Sequence, residues 1–401
     1  MMRQVEGRVE GDVSREGPYT PAMTADRSAE ELAALARELV RIPSPNPPGA
    51  EDRIARFAAQ WLREAGLEAE LIPLEPGRRS VVARLAGRDP GSIVLCGHLD
   101  TVPTELDAWS VPPFEGRIQA GRLWGLGAAD MKGPVAVLMQ VLAELARRSE
   151  PPRHNLVLAL TADEEFGYRG AASIADSGRI DDAILLLIAE PTDGNLYVGQ
   201  KGELWIEAEF TGLEAHGSTP EAGVSALLPA ARFTAALATE IASLAETPGA
   251  GRTSLNVGRF DAGRQVNIVP ERARIQLDLR TARAEDRDDL IARIDAIGRR
   301  EAAVEGAVFA QRTISDHPPI LGNPKDPNAL RLSEAVATVT GAPPAIGLCP
   351  FSTDAVAIVP RHDVPVIICG PGRIADAHRP DESIALEALR AHHEILLQFL
   401  S

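Results

Sequence analysis

Short apolar runs of strand length, separated by longer helical periods, constrain this chain most. Residues 156–161 and 184–189 run apolar without alternation, the pattern of strands covered on both faces. Residues 364–369 are similar, and 81–85 and 92–96 are strand-like. Residues 133–146 form a helical period among them. This grammar predicts an α/β fold, a mostly parallel sheet flanked by helices. In such sheets function gathers at the carboxyl ends of the strands.

Ahead of the sheet, Ser28-Ala29-Glu30-Glu31 reads as a capping box, with Leu32, Leu35, Ala36 and Leu39 on one face of the helix that follows. Pro43, Pro45, Pro47 and Pro48 end it. A second helix over 51–65 buries Ile54, Phe57, Trp61 and Leu62, and Gly66 closes it. Between 202 and 311 the grammar changes. An alternating strand (204–210), a helix (226–244), two strands (254–260 and 273–279) and a helix (286–301) make a small α+β unit of ferredoxin-like pattern. The expected organisation is a catalytic domain in two pieces, 23–200 and 312–401, with an inserted lid or dimerisation domain over 201–311. Residues 1–22 are polar, mixed in charge and without the apolar stretch of a signal peptide. They are expected to be a disordered tail, or an overextended start with Met23 as the first residue.

Five short motifs bring acids or histidines to the ends of these elements. They are Gly97-His98-Leu99-Asp100, Ala129-Asp130-Met131-Lys132-Gly133, Ala162-Asp163-Glu164-Glu165, Ala189-Glu190-Pro191-Thr192 and Ala375-Asp376-Ala377-His378. Four follow apolar strands, and Asp130 opens a helix. Taken singly, each has an ordinary reading. An aspartate before a helix is an N-cap, a Glu-Glu pair a solvated strand end, a lone histidine a packed core group. Taken together, two imidazoles and three carboxylates beside a spare glutamate suit two metal ions and metal-assisted hydrolysis. Nitrogen and carboxylate donors fit zinc first, with cobalt or manganese as alternatives.

The bulk numbers exclude other classes. A formal charge of −16 argues against a nucleic-acid surface and against docking on anionic membrane. The longest apolar stretch is strand-sized, too short to span a bilayer. Cys96, Cys349 and Cys369 are sparse and unpaired in spacing, which implies reduced thiols in a cytoplasmic protein. Gly125-Leu126-Gly127 lacks the continuation of a dinucleotide fingerprint.

In order and wording these motifs resemble the di-zinc amidohydrolase and carboxypeptidase family that includes acetylornithine deacetylase, succinyl-diaminopimelate desuccinylase, aminoacylase and glutamate carboxypeptidase. The resemblance runs from about Thr24 to the C-terminus. It is carried by Gly97-His98-Leu99-Asp100-Thr101-Val102-Pro103, Asp130-Met131-Lys132-Gly133, Thr161-Ala162-Asp163-Glu164-Glu165, Ala189-Glu190-Pro191-Thr192 and Ala377-His378-Arg379-Pro380-Asp381-Glu382.

The resemblance implies that His98 and Glu190 hold one metal, Glu165 and His378 the other, and that Asp130 bridges both. Asp100 would accept a hydrogen bond from the far nitrogen of His98. Glu164 would be the general base and acid, and the Asp130–Met131 bond would be cis. His216, in Glu214-Ala215-His216-Gly217-Ser218-Thr219-Pro220, would donate to the oxyanion, from the partner subunit in dimeric members. Asn267 and Arg280 would grip a substrate carboxylate, although Asp261-Ala262-Gly263-Arg264 departs from the paired glycines many members carry nearby. Ser352, Thr353 and Asp354 would line the pocket or support it, with a helix N-cap as the plainer reading.

The implied activity is hydrolysis of the amide of an N-acyl amino acid. A carboxypeptidase or dipeptidase on the same scaffold is the alternative, and a non-catalytic binding protein a further one. A homodimer through the inserted domain is also implied. The apolar helix over 226–244 suits a partner surface and equally a helix packed on its own sheet.

Overall fold

The computed structural model describes residues 22–247, 251–284 and 286–401. The five apolar runs join three further strands in one eight-stranded sheet, in the order Glu68–Glu75, Arg78–Leu85, His154–Thr161, Asp89–His98, Ala183–Pro191, Val366–Gly370, Leu196–Gln200, Ile346–Cys349. The four middle strands, His154–Thr161 to Val366–Gly370, are mutually parallel. Alternate residues of each strand face opposite ways, as the two-residue period of a strand requires. Leu95, Leu158 and Leu187 pack with five helices: Ala22–Val40, Asp52–Glu64, Lys132–Ala146, Pro327–Thr340 and Leu386–Leu400. Val94, Ala159 and Leu186 pack with Arg169–Ala175 and Ala355–His362 on the other face. Burial on both faces accounts for runs with no polar alternation.

Seven of the described strands escape a reading based on apolar runs, among them Leu196–Gln200, Val308–His317 and Ile346–Cys349. Glu68–Glu75 alternates buried with exposed residues at the sheet edge. Arg117–Gln119, Arg122–Trp124 and Ser383–Ala385 form a small sheet of three-residue strands, too short for any period to register. The last strand of the parallel set begins at Val366, two residues later than expected, because Pro365 has no N–H for the ladder. The first helix begins at Ala22, so Ser28 lies inside it and does not cap it. No proline or glycine lies between Ala22 and Ser28, and the helix runs back through that stretch. The tail expected over 1–22 falls, up to residue 21, outside the described residues.

Strands Gly202–Thr211, Ser254–Ala262, Arg272–Thr281 and Val308–His317 form a separate antiparallel sheet, ordered Ser254–Ala262, Arg272–Thr281, Gly202–Thr211, Val308–His317. Helices Leu227–Ser243 and Asp286–Glu305 complete a strand-helix-strand-strand-helix-strand unit of ferredoxin-like topology. Its last strand crosses the boundary expected at 311 and continues to His317. Leu204, Ile206, Ala208 and Phe210 point into its core with Ala273, Ile275, Leu277 and Leu279. Phe210 meets Phe233 and Phe309 at ring-centroid distances of 5.5 and 5.0 Å.

That ring cluster joins two strands of the unit to its helix Leu227–Ser243, and Phe210 is wholly buried. Phe210→Ala should therefore cost about 3–5 kcal/mol. Urea unfolding would register it as a lower midpoint for this unit, and an unchanged midpoint would contradict the assignment.

Candidate metal centre

Three parallel strands end at the same edge of the large sheet and deliver polar groups there. His98 is the last residue of Asp89–His98, and Glu190 lies next to the end of Ala183–Pro191. Asp163, Glu164 and Glu165 form the turn after His154–Thr161. Asp163 adopts a positive φ of 70°, which lets the chain double back sharply, and its carbonyl accepts from the Gly167 and Tyr168 N–H groups. Asp130 stands just before helix Lys132–Ala146, and its bond to Met131 is cis. His378, with φ 57°, comes from the loop beyond Val366–Gly370.

These groups converge as two triads that share one residue. His98, Asp130 and Glu190 place a ligand atom each within 4.8 Å of one another, and so do Asp130, Glu165 and His378. Asp130 Oδ1 lies 3.0 Å from His98 Nε2, while its Oδ2 lies 3.2 Å from His378 Nε2. Glu190 is 3.7 Å from His98 Nε2, and Glu165 is 3.1 Å from His378 Nε2. A tetrahedral site with bonds of about 2.0 Å has edges of roughly 3.3 Å, so donors at these spacings fit divalent cations.

The electrostatics favour added positive charge. Burial pushes Glu164 and Glu190 well above the usual carboxylate range, with Glu190 adding to the shift of Glu164 and Asp130 to that of Glu190; burial also lifts Glu165. Burial disfavours charge on Asp130 too, but hydrogen bonds from His378 and His98 outweigh it and hold this carboxyl low. Hydrogen bonds to Asp130 and Glu165 push His378 up to about 11. Burial opposes charge on His98, yet Asp130, Glu190 and Glu164 raise it well above the ordinary range. A buried group of acids with two imidazoles favours a cation by charge as well as by geometry.

Asp100 departs from expectation. His98 Nδ1 lies 3.0 Å from the Asp100 backbone carbonyl and 3.7 Å from its carboxylate. The carboxylate is engaged elsewhere, accepting from the Glu164 N–H at 3.2 Å, the Glu165 N–H at 3.1 Å and Asn46 Nδ2 at 2.9 Å. Asp100 thus anchors the turn carrying Glu164 and Glu165, and its backbone orients the imidazole.

A cavity of about 350 Å³ opens over the triads, lined also by Glu164, Phe166, Tyr168, Phe351 and Ser352. Glu203 and Trp205 reach it from the four-stranded sheet, on the face opposite the core residues Leu204 and Ile206. Arg280 lines it too, but its guanidinium is already committed: Nε lies 2.8 Å from Asp278, and Nη1 lies 3.0 Å from Glu203 and 3.3 Å from Ser352 Oγ. Thr353 turns away, donating to Gln200 at 2.6 Å. Asp354 lies beneath the centre, where Thr161 Oγ1 donates to it at 2.6 Å and burial pushes its carboxyl up to about 6. Although Asp354 stands at the N-cap of Ala355–His362, its side chain makes no capping bond; Thr353 Oγ1 accepts from the Ala355 N–H at 3.2 Å.

His216 and Asn267 lie outside this cavity. Both are exposed and adjacent, with His216 bridged to Ile268 and the Asn267 carbonyl accepting from the Gly217 N–H. Sequence reasoning missed Glu382, whose Oε1 accepts from the Ala129 and Asp130 N–H groups at 2.8 and 3.1 Å and so ties the His378 loop to Asp130. It closes the same motif that contains His378, which was the available signal.

Residues 94–401 match the family described as Peptidase family M20/M25/M40. Acetylornithine deacetylase of Edwardsiella ictaluri is 30% identical over 383 residues, covering 92% of this chain and 96% of that protein. A probable succinyl-diaminopimelate desuccinylase of Staphylococcus aureus is 26% identical over 393 residues, covering 90% and 94%. Among solved structures, an M20 family metallo-carboxypeptidase from Sulfolobus solfataricus gives a TM-score of 0.77 at 16% identity, covering 92% and 98%, a likeness of fold. With well over half its length matched and a cation-seeking pair of triads at the sheet edge, the chain belongs to the M20/M25/M40 peptidase family and is a metal-dependent amidohydrolase.

Proposed function

We propose that this enzyme hydrolyses the amide of an N-acyl amino acid, in the manner of acetylornithine deacetylases and succinyl-diaminopimelate desuccinylases. One observation carries the reading: two donor triads share Asp130, and Glu164, a member of neither, lines the same cavity. His98 and Glu190 would hold one divalent ion, Glu165 and His378 the second, with Asp130 between them; zinc is the first choice, cobalt or manganese the alternatives. Such ions lower the pKa of bound water and polarise a carbonyl.

The protein's own groups do the rest. Glu164, buried and crowded by neighbouring acids, has the environment of a proton carrier: it takes a proton from the attacking water and returns it to the departing amine. Asp100 keeps it in place through the backbone N–H groups of Glu164 and Glu165. Ser352 and Arg280 would shape the substrate end of the cavity, with Thr353 and Asp354 supporting its floor from behind. His216 and Asn267, exposed on the four-stranded unit, would join the site by movement of that unit or from a second copy in a homodimer. His216 would then donate to the oxyanion and Asn267 would bind the substrate carboxylate. The buried free thiols Cys96, Cys349 and Cys369 are in keeping with a cytoplasmic setting.

Glu164→Ala should lower kcat by about 10²–10⁴-fold while metal content, read by elemental analysis, stays at the wild-type level. Loss of metal together with activity would instead make Glu164 a ligand. Chelation should abolish hydrolysis, and zinc, cobalt or manganese should restore it. A panel of N-acetyl-ornithine, other N-acetyl amino acids, N-succinyl-diaminopimelate and dipeptides would then identify the substrate. Cleavage of the dipeptides alone would replace the deacylase reading with a peptidase one. Asp130→Asn should weaken both metals at once, because each triad draws an oxygen from that carboxylate; loss of a single ion would contradict the shared role.

A further inference from the structure

The proline-rich segment that ends the first helix carries a residue with no assigned role, Asn46. It is 3% exposed, and its carboxamide nitrogen donates at 2.9 Å to Asp100 Oδ2 and at 2.9 Å to Asp163 Oδ1. Both carboxylates are wholly buried. They belong to two turns far apart in sequence: the one after His98 and the one leading into Glu164 and Glu165. Each turn contributes to a different triad, His98 to one and Glu165 to the other.

The backbone around Asn46 leaves it little freedom. Its N–H donates to the Thr101 carbonyl at 2.8 Å, the Thr101 N–H donates back to Ser44 at 3.0 Å, and Ser44 Oγ donates to the Leu99 carbonyl at 2.7 Å. The segment is thus laced along the continuation of the His98 strand. From there Asn46 spends its two amide hydrogens on two like-charged groups. Asp163 receives further support from Arg78 at 2.9 Å, itself paired with buried Glu51, and from Arg169. Among the described residues, no arginine or lysine forms an ion pair with Asp100. Its carboxylate is held by Asn46 on one side and by the Glu164 and Glu165 N–H groups on the other.

We propose that Asn46 is a positioning residue for the metal centre, which clamps the Asp100 and Asp163 turns together and thereby sets where Glu164 and Glu165 stand relative to His98. Supporting residues behind metal ligands typically change metal affinity or activity by about 10–100-fold when lost. Asn46 acts on both turns at once, so its loss should register on the metals before it registers on substrate binding.

This inference rests on the triads being the metal site, so wild-type protein provides the first measurement. Apo-protein would be titrated with zinc by calorimetry, and the absorption spectrum of the cobalt-loaded form recorded. Wild type that binds no metal at the triads would overturn that reading and the inference with it. Given wild-type binding, Asn46→Asp keeps the shape but replaces the donor with a third carboxylate. It should bind zinc at least tenfold more weakly, show an altered cobalt spectrum, and lose at least tenfold in kcat with KM within threefold. Metal affinity, spectrum and kcat at wild-type values, whatever the melting temperature, would leave Asn46 with a structural role only and sink the proposal. Should that variant fail to fold, Asn46→Ser decides. Its single hydroxyl can serve only one of the two carboxylates, and an affinity loss of about threefold or more is expected; unchanged affinity refutes the clamp.

Discussion

Asp130 presents one carboxylate oxygen to His98 and the other to His378, and the arrangement of the large domain follows from that sharing. His98 arrives from the middle of the parallel sheet, His378 from a loop near the C-terminus, and Asp130 from a helix start between them in sequence. A carboxylate can serve two imidazoles on opposite sides only if all three elements are fixed to within fractions of an ångström. Buried acids cannot be left to repel each other in a low-dielectric site. The fold holds them with N–H donors and imidazoles, and with the positive charge that a pair of cations would add.

Much of the polar structure around the centre serves that end. Glu382 takes the N–H groups of Ala129 and Asp130, which fixes the backbone carrying the shared carboxylate. Asp100 takes the N–H groups of Glu164 and Glu165. Asn46, Arg78 and Glu51 then hold Asp100 and Asp163 from behind. Each such bond satisfies a buried group that would otherwise destabilise the fold. The same bonds therefore contribute to folding and aim the side chains over which a substrate would sit. The four-stranded unit adds Glu203, Trp205 and Arg280 to the far wall. Arg280 is bound by two carboxylates there, and much of its donor capacity is turned toward the protein.

The parallel sheet was legible because strands covered on both faces must be apolar throughout, as 156–161 and 184–189 are. The triad residues were legible because each follows such a strand or opens a helix, where side chains reach the sheet edge. The edge strand Glu68–Glu75 and the three-residue strands were not, since short or half-exposed segments carry no distinctive period. Strand Val308–His317, which runs across position 311, was not legible because it pairs with Gly202–Thr211, a partner about a hundred residues away, and pairing of that kind leaves no local mark. Asn46 carries no signal among the prolines around it, since nothing near it in sequence reveals two buried carboxylates.

By itself the sequence determined the fold class, the sheet edge where chemistry collects, and the set of acids and histidines assembled there. These follow from side-chain polarity and from periods of two and 3.6 residues, which are local properties. The tertiary structure decided that Asp100 supports the backbone of two glutamates while only its carbonyl meets the His98 ring, and that Arg280 is held by its own protein's acids. It also decided that His216 and Asn267 stand outside the cavity of a single chain. Those outcomes depend on which buried donors and acceptors meet across long sequence separations, and only the packed chain brings them within hydrogen-bonding distance.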